Sequence, residues 1–150
     1  MTAWEVDRNA VPTRGLGRTY AEGRAAMHTA LQEGGSETFH EWRKRAKDLR
    51  HQLEFLSWIW PGVLPAVAHD VNWLTDLLRE ANDLTLLSAM LHSEPASADE
   101  RGNAAVLRRL TERQHALWHD ALRAWSRLYA EKAGAFSSRM EAYWSASRAS

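Results

Sequence analysis

Cysteine is absent from this 150-residue chain, and its four prolines all fall between periodic segments rather than inside them. The missing thiols exclude a disulfide framework, a thiolate zinc site and a cysteine nucleophile. Neither sign of charge is in excess, since 19 Lys and Arg balance 19 Asp and Glu. The molecule as a whole therefore exerts no long-range pull on a polyanion, and any such binding must come from local arrangement of charge. Long apolar runs are missing too. The most apolar stretch, 55–68, is too short to span a bilayer and is interrupted by Pro61 and Pro65. The opening residues Met1-Thr2-Ala3-Trp4-Glu5-Val6-Asp7 put acids where a secretory leader needs an apolar segment. A cytoplasmic protein is expected, with no membrane partner. Nor is there a G-x-x-x-x-G-K-[ST] phosphate loop or a G-x-S-x-G elbow. Glu54, Asp48 and Asp83 form no evident cluster for a catalytic metal. The chain reads as a non-enzyme without a cofactor.

What is present is helical. Ala, Leu, Glu, Arg and Gln dominate between the prolines, and no alternating run with turn signals argues for a sheet. The class is all-α, a single domain over 1–150 with an irregular segment over 1–14. Leu16, Tyr20, Arg24, Met27 and Leu31 step through a first helix over about 15–32, which Gly34-Gly35 ends. Thr38 and Glu41 have the spacing of a capping box, with Ser36 as a rival cap, and start a second helix that runs to Trp60 before Pro61-Gly62. Its apolar stripe is Trp42, Ala46, Leu49, Leu53, Leu56 and Trp60. Pro65 suits the first turn of a third helix. Val67, Val71, Leu74, Leu78 and Ala81 form its stripe, and Trp73, Leu77, Leu84, Leu87 and Leu91 widen it, so this helix is expected to be the most buried. Ser97 and Glu100 offer a second capping box, with Gly102 delaying the helix behind it. The fourth helix carries Leu107, Leu110, Leu117, Ala121, Ala124 and Leu128, with Trp118, Leu122, Trp125 and Tyr129 beside them. Gly134 breaks it before a short last helix with Phe136, Met140, Tyr143 and Trp144. Four long helices and a short one, joined by short loops, imply an antiparallel up-down bundle. The eight tryptophans mostly fall on apolar stripes and are expected in its core.

The chemistry concentrates on the second helix. At about 100° per residue, His40, Arg43, Lys44, Lys47, Arg50 and His51 share an arc of roughly 120° opposite Trp42 and Leu49, interrupted by Glu54 alone. An ordinary solvated face mixes signs. A ladder of like charges three and four apart costs roughly 0.2–0.5 kcal/mol per pair, so an uncompensated one points to an anionic partner. The positive end of the helix lies nearby. Protonation of the histidines would add charge, so that anion binding takes up protons. Arg18 and Arg24 on the first helix could extend the patch. Arg109, Arg113, Arg123 and Arg127 fall close to one line on the fourth helix, where Glu112 and Asp120 offer them partners. His115 and His119 have i,i+4 spacing, but no HExxH motif and no clear third ligand, so no metal site is assigned.

These residues lie in three blocks that together resemble the conserved histidine α-helical domain, CHAD. Gly15-Leu16-Gly17-Arg18-Thr19-Tyr20-Ala21-Glu22-Gly23-Arg24 is similar to its GL-x-x-x-Y-x-x-GR segment. Phe39-His40-Glu41-Trp42-Arg43-Lys44-Arg45-Ala46-Lys47-Asp48-Leu49-Arg50 is similar to its H-x-x-R-K-x-x-K-x-L-R signature. Leu77-Leu78-Arg79-Glu80-Ala81-Asn82-Asp83-Leu84 is similar to its LG-x-x-x-D-L segment. The resemblance runs from Gly15 to about Trp144 and covers one half, the C-terminal one, of the family's two related helical halves. It implies a helical protein that binds inorganic polyphosphate, in some members on polyphosphate granules and in some beside a triphosphate-hydrolysing domain. Arg24, His40, Arg43, Lys44, Lys47, Arg50 and His51 would then contact phosphates, with Arg18 and Asp83 in support, Asp83 orienting a basic side chain. A second copy or a separate N-terminal half would complete the domain. The competing readings are a nucleic-acid binder, nonspecific because Lys and Arg dominate its face, and a protein-interaction scaffold.

Overall fold

In the computed structural model, which describes residues 12–94 and 100–149, the chain folds as five α-helices. They are α1 (Thr13–Glu33), α2 (Ser36–Phe55), α3 (Leu64–Ser93), α4 (Glu100–Trp125) and α5 (Ala133–Ala149), with one 3₁₀ turn (Ser57–Ile59) between α2 and α3. The described residues contain no strand, as the all-α reading expects. Consecutive helices α1 to α4 pack side by side. α5 does not continue this order along α4. It turns back to cover α1, and Tyr20 of α1 stacks on Phe136 of α5 with ring centroids 3.9 Å apart.

Helix ends depart from the sequence expectation in instructive ways. α1 begins at Thr13, inside the stretch read as irregular. Gly34 and Gly35 both have positive φ, +65° and +86°, which is why this turn takes two glycines. α2 then starts at Ser36 without a side-chain cap. The Thr38/Glu41 capping box does not form, because the Thr38 hydroxyl donates back to the carbonyls of Gly34 and Gly35, at 2.6 and 3.0 Å. α2 stops at Phe55, five residues before the expected Trp60. Pro61 forces Trp60 into extended backbone (φ −148°, ψ 85°), and the chain reaches it through the 3₁₀ turn. Phe55, Trp58 and Trp60 are exposed as a result. The Ser97/Glu100 cap lies outside the described residues. Gly102 sits within α4 and delays nothing, whereas α4 ends early, at Trp125, and Gly134 is the second residue of α5. α5, at 17 residues, is no short appendix.

The core is built from the stripes of α1 to α3. Leu16, Tyr20 and Met27 meet Phe39, Trp42, Ala46, Leu49 and Leu53, and these meet Val71, Leu74 and Leu78. Leu31 is exposed, contrary to its place on the α1 stripe. The tryptophans divide unexpectedly. Trp42 and Trp125 are buried, Trp118 and Trp144 half-buried, and Trp58, Trp60 and Trp73 exposed. Nor is α3 the most buried helix, since Leu86, Leu87 and Met90 face solvent.

The connection between α4 and α5 is anchored by Tyr129, and the first sequence block turns out to be its receptor. The buried Tyr20 hydroxyl donates to the Glu131 carbonyl at 2.9 Å, and its pKa is pushed up to about 12 by burial and by the Glu131 carboxylate. The Tyr129 ring lies over Gly23 so closely that a Cβ there would sit 2.5 Å from its oxygen and 2.9 Å from two ring carbons. Gly23→Ala should therefore lower stability. Helix propensity would favour alanine by about 1 kcal/mol, but overpacking against a ring costs about 1–3 kcal/mol. A thermal melt decides the sign, and an unchanged or higher Tm would mean that the ring swings aside freely.

Candidate anion-binding site

The two edges of α2 differ. On the edge toward α1, cations and acids alternate in a chain of ion pairs. Arg18 meets Glu22 at 3.2 Å, Glu22 meets Arg45 at 3.0 Å, Arg45 meets Glu41 at 2.9 Å, and Glu41 meets Lys44 at 2.9 Å. The hydrogen bond from Lys44, together with Arg45, holds the Glu41 carboxyl below the usual carboxylate range. This pairing is therefore complete at neutral pH and is lost only as the pH falls through that lowered value. Arg18 and Lys44 are thus already partnered.

On the other side of the arc the cations are left without acids. His40, Arg43 and Lys47 lie at i, i+3 and i+7 on one stripe, and among the described residues none of them has a carboxylate within ion-pair distance. The face is not wholly solvated, as the sequence suggested. His40, Arg43 and Arg50 are half-buried, and Nδ1 of His40 and Nε of Arg43 are buried atoms with no hydrogen-bond partner. Lys47 is exposed. Arg50, its side chain 22% exposed, ends the stripe with its Nη1 donating to Asn72 Oδ1 of α3. Glu54 approaches both Arg50 and His51, at 3.8 and 3.9 Å, too far for a hydrogen bond.

Asn72 is the residue that the sequence did not single out. It accepts from Arg50 and donates to Asp76 Oδ2 at 3.4 Å, so it fixes the Arg50 guanidinium against the α2/α3 seam. No motif marks it, because its position depends on the register between two helices. Asp83, expected to orient a basic group, makes no hydrogen bond or ion pair among the described residues. It lines an open concavity of about 420 Å³ on α3 with Trp73, Asp76, Leu77, Arg79 and Glu80. Arg24 lies on α1, and its Nε donates to the Tyr129 carbonyl at 3.1 Å, which ties α1 to the α4–α5 connection. No hydrogen bond among the described residues links Arg24 to the α2 arc.

The fourth helix does not pair its arginines as expected. Arg113 reaches Glu80 of α3 at 2.9 Å rather than Glu112, and Asp120 approaches His119 at 3.7 Å. His115 stacks on Trp118, with centroids 5.4 Å apart. Among the described residues no three His, Asp or Glu side chains gather as metal ligands.

The three blocks of α1, α2 and α3 agree with one comparison. The model of the CHAD domain family matches residues 7–92. The chain belongs to the CHAD family. The match spans more than half the chain and contains all three blocks, taking in α1, α2 and most of α3. It ends well before Trp144, so α4 and α5 lie beyond it. Neither the curated proteins nor the solved structures yielded a match. CHAD domains are associated with polyphosphate-related proteins and are generally binding rather than catalytic modules. None of the described helices of this CHAD domain is long and apolar enough to cross a membrane.

Proposed function

We propose that this CHAD protein binds inorganic polyphosphate, without catalysis, along the α2 stripe of His40, Arg43, Lys47 and Arg50, with Lys44 and His51 at its margin. The observation that carries the reading is the contrast between the two edges of α2. In a chain of zero net charge, the α1-facing cations are consumed in ion pairs, while among the described residues His40, Arg43 and Lys47 have none. Cations with no acid beside them among the described residues are compensated when a polyanion binds. A linear phosphate polymer supplies acceptor oxygens at every unit and releases condensed counterions as cations replace them. Arg18 and Arg24 are left out of the contact set, since Glu22 and Tyr129 occupy them. Asn72, rather than Asp83, is the orienting residue for Arg50. Attachment to polyphosphate granules would use the same contacts.

The test is a titration with long-chain polyphosphate at about 0.15 M salt, competed with duplex DNA and single-stranded RNA at equal phosphate concentration. Polyphosphate should bind and resist displacement, and its affinity should fall steeply with added salt. Equal displacement by nucleic acid would replace the proposal with a generic basic patch. An affinity insensitive to salt would remove the counterion mechanism.

A further inference from the structure

The α3–α4 hairpin outgrows the bundle. The last buried residue of α3 is Ala81 and the first of α4 is Leu117, so among the described residues 82–94 and 100–116 no side chain is buried. That leaves about 20 Å of two-helix hairpin with no core of its own. Its sequence is not that of a solvated arm. Trp73, Leu77, Glu80, Leu84, Leu87 and Leu91 recur along α3 at steps of four, three, four, three and four, the spacing of a helix–helix seam. Trp73 is 61% exposed, Leu87 42%, and Val106 across the hairpin 46%.

The charges beside this seam indicate what covers it. Asp76, Glu80 and Asp83 line the α3 leg, Asp76 being already paired with Arg79 at 3.4 Å, and Arg109 and Arg113 line the α4 leg. Within one chain Glu80 and Arg113 already pair across the legs at 2.9 Å. Asp83 and Arg109 have no ion pair among the described residues. A surface with one acidic and one basic edge is complementary to itself after a two-fold rotation.

We infer that two copies of this chain associate through the α3–α4 hairpins. A two-fold axis running along the hairpin sets α3 of each copy against α4 of the other and closes an antiparallel four-helix bundle. Leu84, Leu87 and Leu91 then pack on Val106 and Leu110 of the partner copy, and the acidic edge of one lies on the basic edge of the other. This association is independent of polyphosphate binding, because the α2 stripe contributes nothing to it.

Sedimentation velocity on the full chain over a range of concentrations should resolve a monomer–dimer equilibrium. The variant Leu87→Glu with Val106→Glu should raise the dissociation constant about tenfold or more with unchanged helical circular dichroism, since both residues are exposed. Asp83→Lys and Arg109→Glu, in separate chains, should each weaken self-association, and an equimolar mixture of the two should recover dimer. A chain monomeric at every concentration overturns the inference. So does a dimer indifferent to the Leu87/Val106 change, or a mixture that associates no better than its components. Polyphosphate titration of the same variants should be unaffected, so failure here is separable from failure of the anion site.

Discussion

Replacing Arg43, Lys44 and Lys47 together by glutamine should weaken polyphosphate binding about 100- to 1,000-fold, with helical content and Tm nearly unchanged. A hydrogen bond to a charged group contributes about 1.5–3 kcal/mol, and two of the three cations, Arg43 and Lys47, have no protein partner among the described residues to retain. The single variants should not share the loss equally. Lys44 is held by Glu41 at 2.9 Å, so its charge is already compensated and Lys44→Gln should cost the least. Lys47→Gln removes an exposed, unpaired ammonium and should cost several-fold more. The salt dependence gives a second reading. For a single-stranded polyanion the logarithmic slope is about 0.7 per neutralised phosphate, so loss of the two uncompensated cations, Arg43 and Lys47, should flatten it by about 1.4. If Lys44→Gln and Lys47→Gln prove equivalent, ion pairing does not divide the face and the proposed stripe is wrong.

That division shows where sequence reading reaches its limit. The arc itself is legible, because six basic residues at three- and four-residue steps fall on one side of any helix. Which of them are held is only partly legible: Glu41 stands three residues before Lys44 in the sequence, but Asn72 of α3, which takes Arg50, is placed by the register between two helices. Arg24 makes the same point. Its place beside Gly23 is a recognisable motif, yet its partner, the Tyr129 carbonyl, lies 105 residues away. Helix identities follow from the 3.6-residue period, while helix ends follow from competition that the period does not see. Thr38 has the spacing of a cap, but the two positive-φ glycines before it offer nearer acceptors. Trp60 continues a stripe, but Pro61 pulls it out of the helix. The seam on α3 looks like core in sequence, yet among the described residues Trp73 and Leu87 are exposed and Leu77, Leu84 and Leu91 are only half-buried.

Trp42→Ala should be the most destabilising single change on α2, lowering stability by about 3–5 kcal/mol and Tm by about 6–20 °C. Trp42 is fully buried between Phe39 of its own helix and Tyr129 of the α4–α5 connection, with ring centroids 6.1 and 6.5 Å away. Its removal opens a cavity where three elements meet, and collapse to fill it would have to move the backbone of α2. The total stability of a domain is about 5–15 kcal/mol, so much of it rests on this one side chain. The basic stripe lies on the opposite face of the same helix and depends on that helix staying formed. Polyphosphate affinity of Trp42→Ala should therefore persist at low temperature and vanish along the same transition as the helical signal. The Lys47 variant should do the reverse, losing affinity at a temperature where the helix is intact. Bound polyphosphate should also raise the Tm of Trp42→Ala, because a ligand that binds the folded state alone stabilises it by mass action. Affinity that survived melting of α2 would show that the phosphates are held by scattered charge rather than by a stripe with fixed spacing.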